Sequence, residues 1–201
     1  MEIIKKYLGS AIVAGICIAL GGVINLKMGG IIGAIMFSFG LLAVVHYGLS
    51  LYTGTAGFVD IKKGSEWWRL VVIICGNIIG CMLIAGICKF ALSDVCVVGE
   101  SILNKRLFSG PLNVGLLAVC CGFIMTTAVE FGRKQLFLPL LFGVPLFILS
   151  GFVHSIADAF YFLCSPVESL LSWDVLLIYL SAIIGNFIGC NIYRALVPTK
   201  N

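Results

Sequence analysis

The chain is short of charge. Thirteen Lys and Arg and nine Asp and Glu make up 11% of its 201 residues, whereas a soluble domain of this length carries roughly a quarter. With 61% apolar residues and a mean hydropathy of +1.14, that shortage excludes a soluble enzyme and places the chain in a lipid bilayer. No basic run exceeds the pairs Lys5-Lys6, Lys62-Lys63, Lys105-Arg106 and Arg133-Lys134. A net charge of +4 spread so thinly makes no phosphate-binding face, which excludes nucleic acid as a partner. Histidine is limited to His46 and His154 and no carboxylates cluster, so a membrane-embedded enzyme has little to work with. There is no C-x-x-C and no His at ligand spacing from a Cys, hence no expected metal or cofactor. Cys17, Cys75, Cys81, Cys88, Cys120, Cys121, Cys164 and Cys190 lie in or beside apolar stretches, and only Cys96 falls in an expected loop. They read as small buried hydrophobes, with the vicinal Cys120-Cys121 pair singled out for reactivity.

What the chain has instead is long apolar runs. Crossing the hydrocarbon takes roughly 20 residues of helix, and six runs without Asp, Glu, Lys or Arg qualify: Leu8–Leu26, Ile31–Val59, Leu70–Cys88, Pro111–Val129, Leu136–Ala157 and Val175–Tyr193. The first is followed by further spans rather than by a hydrophilic mature domain, so it reads as a retained span and not as a signal peptide. An even number of spans puts both termini on one side. That side would hold Lys5, Lys6, Lys62, Lys63, Arg69, Arg133, Lys134, Arg194 and Lys200, against Lys27, Lys89, Lys105 and Arg106 opposite. The excess of cations on the cytoplasmic side predicts that both termini are cytoplasmic.

The chain also repeats itself. Gly76-Asn77-Ile78-Ile79-Gly80-Cys81 in the third run recurs as Gly185-Asn186-Phe187-Ile188-Gly189-Cys190 in the sixth. A unit of three spans is odd, so its second copy enters the membrane inverted, the construction of many transporters and channels. This predicts one all-α transmembrane domain over 1–201, with inverted repeats at about 8–93 and 111–197. The middle run of each unit is interrupted, by Gly48-Leu49-Ser50-Leu51-Tyr52-Thr53-Gly54-Thr55-Ala56-Gly57 and by Leu149-Ser150-Gly151-Phe152-Val153-His154-Ser155-Ile156-Ala157-Asp158. Matched interruptions predict broken second and fifth helices at midplane depth, tolerated only where they are buried or line a wet cavity. The 29 residues from Ile31 to Val59, more than one straight crossing needs, point the same way.

Phe37-Ser38-Phe39-Gly40-Leu41, Leu51-Tyr52-Thr53-Gly54, Gly151-Phe152-Val153-His154-Ser155-Ile156-Ala157 and the two Gly-Asn-x-x-Gly motifs, in this order, resemble the formate/nitrite transporter family over nearly the whole chain. The resemblance implies an aquaporin-like protomer of six transmembrane helices, a pore through each protomer, a homopentamer and residence in the inner (cytoplasmic) membrane. It implies a channel or channel-like transporter for a small monovalent weak-acid anion such as formate, nitrite or hydrosulfide. By position it makes His154 the central pore residue facing the Thr53 hydroxyl, Phe37 and Phe147 the outer constriction, and Leu41, Leu51, Tyr52 and Val119 the inner one. Asn77 and Asn186 match Gly-Asn motifs of the family. Three positions depart from its pattern: Val153 stands where Glu usually precedes the His, Asp158 replaces an Asn, and only Lys105 or Arg106 offers the cation expected near the fourth span.

An anion at the bilayer centre is penalised by several kcal/mol, so a pore must solvate the charge or remove it. His154, with an unperturbed pKa of about 6.5, can remove it by protonating the passing anion; the bland alternative is a buried His hydrogen-bonded between helices. Asp158 lies one helical turn beyond His154. Ionised on the same face it stabilises an imidazolium and repels anions; protonated, or beyond a helix break, it does neither. His46, Trp67, Trp68 and Trp173 are read as structural. A non-conducting membrane scaffold is the rival to transport, and matched helix breaks are what it would not need.

Overall fold

A computed structural model describes residues 2–197; Lys200, counted above among the cytoplasmic cations, lies outside the described residues. The fold is all-helical: α1 (Glu2–Met28), α2 (Gly30–His46), α3 (Tyr52–Thr55) with a 3-10 turn at Ala56–Phe58, α4 (Gly64–Ala91), α5 (Ser93–Arg133), α6 (Leu138–Leu149), α7 (Ser155–Leu163), α8 (Val167–Leu170) and α9 (Trp173–Leu196). By length and composition α1, α4, α5 and α9 can cross a membrane, while α2 and α6 are shorter apolar helices. Their outward faces carry large apolar side chains, among them Phe39, Phe90, Phe108 and Leu112. In water such a surface would aggregate; in lipid it is the solvent-facing side.

Two groups of helices build the core. α1 packs on α4 and α2, and α5 packs on α9 and α6, with α2 against α6 where the groups meet. The Gly-Asn-x-x-Gly motifs make the tight contacts in both. A Cβ at Gly80 would collide with the Ile12 carbonyl of α1, and one at Gly189 with the Val119 carbonyl of α5. Only glycine lets these backbones approach so closely, the usual device of helix packing in lipid. Each short helix then reaches across while also touching its own group: α3 lies against α5 and α4, and α7 against α4 and α5.

The interruptions have a specific cause. α2 is stopped by Gly48 at φ +61°, two residues past its end, and α6 by Gly151 at φ +72°, likewise two past its end. At the first, Leu49 N–H donates to the Val44 carbonyl (2.8 Å) and Gly48 N–H to Val45 (3.2 Å); at the second, Phe152 N–H donates to Phe147 (3.0 Å) and Gly151 N–H to Ile148 (3.1 Å). These are Schellman endings, in which a left-handed glycine stops the helix and satisfies its last carbonyls. The apolar run Ile31–Val59 is therefore a helix, a five-residue break and a short second helix. Leu136–Ala157 is likewise broken, and its second helix continues to Leu163.

The segment expected to be loop before the fourth run is helical instead. α5 begins at Ser93, so Cys96 sits in its first turn, and the axis changes direction at Gly110 (φ +77°, ψ 162°) directly before Pro111. Proline cannot continue the incoming helix but suits a first helical turn, so a surface-lying segment and the fourth apolar run join at that bend.

Candidate functional site: a buried histidine where two broken helices meet

Broken backbone away from water must find hydrogen-bond partners, and the two asparagines supply them in matching fashion. Asn77 Oδ1 accepts from Tyr52 N–H (2.9 Å), and its Nδ2 donates to the carbonyls of Ser50 (2.9 Å) and Ala11 (2.8 Å). Asn186 Oδ1 accepts from Ser155 N–H, and its Nδ2 donates to Val153 and Ala118, all at 2.8 Å. One amide thus clamps each break at the start of the following helix. Beside them Cys81 Sγ lies on the Gly15 and Ile156 carbonyls, and Cys190 Sγ on those of Gly122 and Thr53. Each thiol touches the broken segment of the opposite group, which accounts for the repeated Cys as well as the repeated Gly-Asn.

The same correspondence makes Leu51 and His154 equivalent, since each occupies the N-cap position of the short helix. At the second break the cap is the imidazole: His154 Nδ1 accepts from Ala157 N–H at 3.1 Å. That bond fixes the tautomer. A nitrogen that accepts holds a lone pair, so in the neutral ring the proton is on Nε2, 2.9 Å from Thr53 Oγ1. Thr53 accepts that proton and keeps its own hydroxyl hydrogen to donate elsewhere. His154 is 2% exposed and Thr53 fully buried.

Aromatic rings close over one side of this pair. Phe147 stacks on the His154 ring with centroids 5.4 Å apart, and Phe37 meets Phe147 edge-on at 5.9 Å. Leu41, Leu51 and Tyr52 are buried as well, and the Tyr52 hydroxyl is tied to the Ile183 carbonyl (3.0 Å). Val119 is only half-buried; α5 buries Ala118, Cys121, Met125 and Val129 instead, and Val129 packs beside Gly54. His46 is exposed, edge-on to Tyr47, and α2 ends with it, so it shares no face with Thr53.

Asp158 is on α7, one turn after His154, and 2% exposed. Its Oδ2 accepts from Arg106 Nε at 2.9 Å, and the same guanidinium donates through NH1 to the Gly151 carbonyl at 3.2 Å. Arg106, from the surface-lying part of α5, therefore grips both flanks of the segment that carries His154. Of the two cations offered by the sequence it is Arg106 that reaches the site, and two departures from the family pattern form one ion pair. Neither this contact nor the role of the Ser38 and Ser155 hydroxyls, which are buried with no hydrogen-bond partner among the described residues, is legible in the sequence. A Ser directly after the key Phe37 and another directly after His154 were the available signals.

At the opposite end of the site, arginines finish the short first helix. Arg133 donates to the Gly54 carbonyl (2.9 Å) with its guanidinium 3.9 Å above the Phe58 ring, and Arg194 donates to the Val59 carbonyl. Cations there satisfy carbonyls at a helix C-terminus and oppose its dipole.

Comparisons with known proteins agree with this architecture. The solved structure of a pentameric formate channel with formate bound matches with a TM-score of 0.83 at 19% identity, covering 97% of this chain and 96% of that one. A second, described as an FNT family ion channel, gives 0.78 at 18% identity over 96% and 91%. Among curated proteins the formate channel FocA of Escherichia coli strain K12 is 27% identical over 157 residues, 69% of this chain. The corresponding FocA of Escherichia coli O157:H7 matches equally, and the chain spans about half the length of these relatives, 55%. The family model described as Formate/nitrite transporter matches residues 2–199. The chain belongs to the formate/nitrite transporter family.

Proposed function

We propose that this protein is a channel or channel-like transporter for a small monovalent weak-acid anion such as formate, nitrite or hydrosulfide, working as a homopentamer with a pore in each protomer. α1, α2 with α3, α4, the part of α5 after Gly110, α6 with α7, and α9 are its six membrane crossings. They form two inverted three-span units at about 8–93 and 111–197, in the inner membrane with both termini cytoplasmic. The observation that carries the reading is the His154–Thr53 hydrogen bond (2.9 Å) at the junction of two broken helices. Buried polar groups at that depth are costly and mark pathways.

Phe37 and Phe147 form the outer constriction, and Leu41, Leu51 and Tyr52 the inner one. Met125 takes the α5 position there in place of Val119. Apolar constrictions reject a bare anion and admit a neutral acid. The imidazolium of His154 gives one proton to the arriving anion, the neutral acid moves on, and the ring caps Ala157 again once its remaining proton is on Nε2. Recharging requires a second proton on Nδ1, which displaces the Ala157 N–H bond, so each proton cycle opens and closes the cap of α7. The Asp158 carboxylate does not repel the substrate, because Arg106 neutralises it. The Ser38 and Ser155 hydroxyls, without a hydrogen-bond partner among the described residues, find partners in water or substrate along the path.

Formate or nitrite flux into liposomes containing the purified protein tests transport, and counting subunits by mass in mild detergent tests assembly. Flux above that of empty liposomes together with a pentameric mass supports the proposal. A folded protein with no flux would make it a scaffold.

A further inference from the structure

Away from the histidine site, three cysteines from three separate elements converge at one end of the bundle. Cys88 is in the last turn of α4, Cys96 in the first turn of α5, and Cys164 directly follows α7. The Cys96 and Cys164 side chains are near neighbours, with Cys88 beside them. The backbone geometry points the same way. A Cβ at Gly99, on the Cys96 face of α5, would sit 3.0 Å from Cys164 Cβ and 3.5 Å from its sulfur. Residues three apart on a helix have Cβ positions about 5–6 Å apart, which puts Cys96 on the same face one turn away, within side-chain reach of that sulfur. Lys89 Nζ donates to the Ser165 carbonyl at 2.6 Å and holds the end of α7 against α4 there. Cys96 is partly exposed, whereas Cys88 and Cys164 are buried.

We infer that Cys96 and Cys164 form an oxidisable dithiol that closes to a disulfide, with Cys96 as the entry thiol. The oxidant is a molecule bearing a disulfide. The Cys96 thiolate attacks it, forming a mixed disulfide and releasing the first thiolate of the oxidant. The Cys164 thiolate then attacks Cys96 Sγ, the Cys96–Cys164 bond forms, and the second thiolate leaves. Two protein thiols lose two protons and two electrons, and one oxidant disulfide is reduced to two thiols. The buried partner needs no access of its own, because its step is intramolecular. The bond ties α7, which carries His154 and Asp158, to the start of the segment that carries Arg106. The pairing does not depend on the proposed transport; only the side of the membrane it faces does.

The purified wild-type protein in detergent, where sidedness plays no part, is treated with oxidised glutathione, then alkylated, digested and mapped by mass spectrometry without reduction. The expected product is a linked pair of peptides carrying Cys96 and Cys164, lost on reduction, retained in Cys88→Ser and absent in Cys96→Ser. The oxidised protein should also unfold several degrees higher than the reduced one, because a long loop is closed. Full alkylation of both residues after oxidation, or a Cys88–Cys96 link in their place, overturns the inference. Either result leaves the flux assay of the proposed function unaffected.

Discussion

Breaking the Arg106–Asp158 pair should be costly in an asymmetric way. The carboxylate is the deeper partner, at 2% side-chain exposure against 16% for the guanidinium, across 2.9 Å. Arg106→Gln strands a buried carboxylate and also removes the bond to Gly151; removing one partner of a buried pair costs about 3–5 kcal/mol. Asp158→Asn leaves a guanidinium with some water and its carbonyl partner, and should cost about 2 kcal/mol. The double variant strands no charge, so its loss should fall short of the sum by at least about 2 kcal/mol. At roughly 2–4 °C per kcal/mol for a chain of this size, Arg106→Gln should lower the unfolding midpoint by about 6–20 °C. Cys81, Cys121 and Cys190 are buried, so a thiol-reactive dye reports their exposure as the detergent-solubilised protein is heated. Additive losses, or an Asp158→Asn variant less stable than Arg106→Gln, would refute the argument that burial of the carboxylate sets the cost.

Three further outcomes are expected. Asn77→Ala and Asn186→Ala each delete three hydrogen bonds to a broken segment; each should destabilise by about 3 kcal/mol, and a silent variant in the same thermal assay would show that the amides do not hold the breaks. Gln135 ends α5 at φ +63° without being glycine, so Gln135→Gly should stabilise by about 1 kcal/mol, read as a midpoint raised by a few degrees. Phe147→Leu removes the ring stacked on His154 and the edge contact with Phe37; it should raise flux and admit larger carboxylates in the liposome assay, and unchanged size selectivity would remove Phe147 from the constriction.

Much of this architecture was legible in the sequence because it is written in features that one residue type enforces. Gly48 and Gly151 stop helices by their left-handed conformation, and the repeated Gly-Asn-x-x-Gly marks backbone contact plus an amide clamp. The pairing of His154 with Thr53 followed from the resemblance and is present at hydrogen-bond distance. What stayed hidden depends on where helices bend. The segment before Gly110 has too much polarity to read as a span and reads as loop, so neither the nearness of Cys96 to Cys164 nor the reach of Arg106 to Asp158 could be seen. Val119 was matched by register alone, and one residue of register is about 100° of helix, enough to move it off the buried face of α5. His46 stands two turns before Thr53 in the sequence, but the stop at Gly48 separates them.

In the proposed mechanism His154 supplies the proton that carries a weak-acid anion past the constrictions. Formate flux into liposomes, measured against external pH for the wild type and for His154→Asn, tests it most directly. Asparagine keeps a polar side chain of similar size that can still accept from Ala157 N–H, while removing the titratable ring. Wild-type flux should rise as external pH falls, and the variant should lose that response, either leaking anions electrogenically or ceasing to conduct. An unchanged pH profile at undiminished flux in His154→Asn would contradict the account and leave His154 as a helix cap alone.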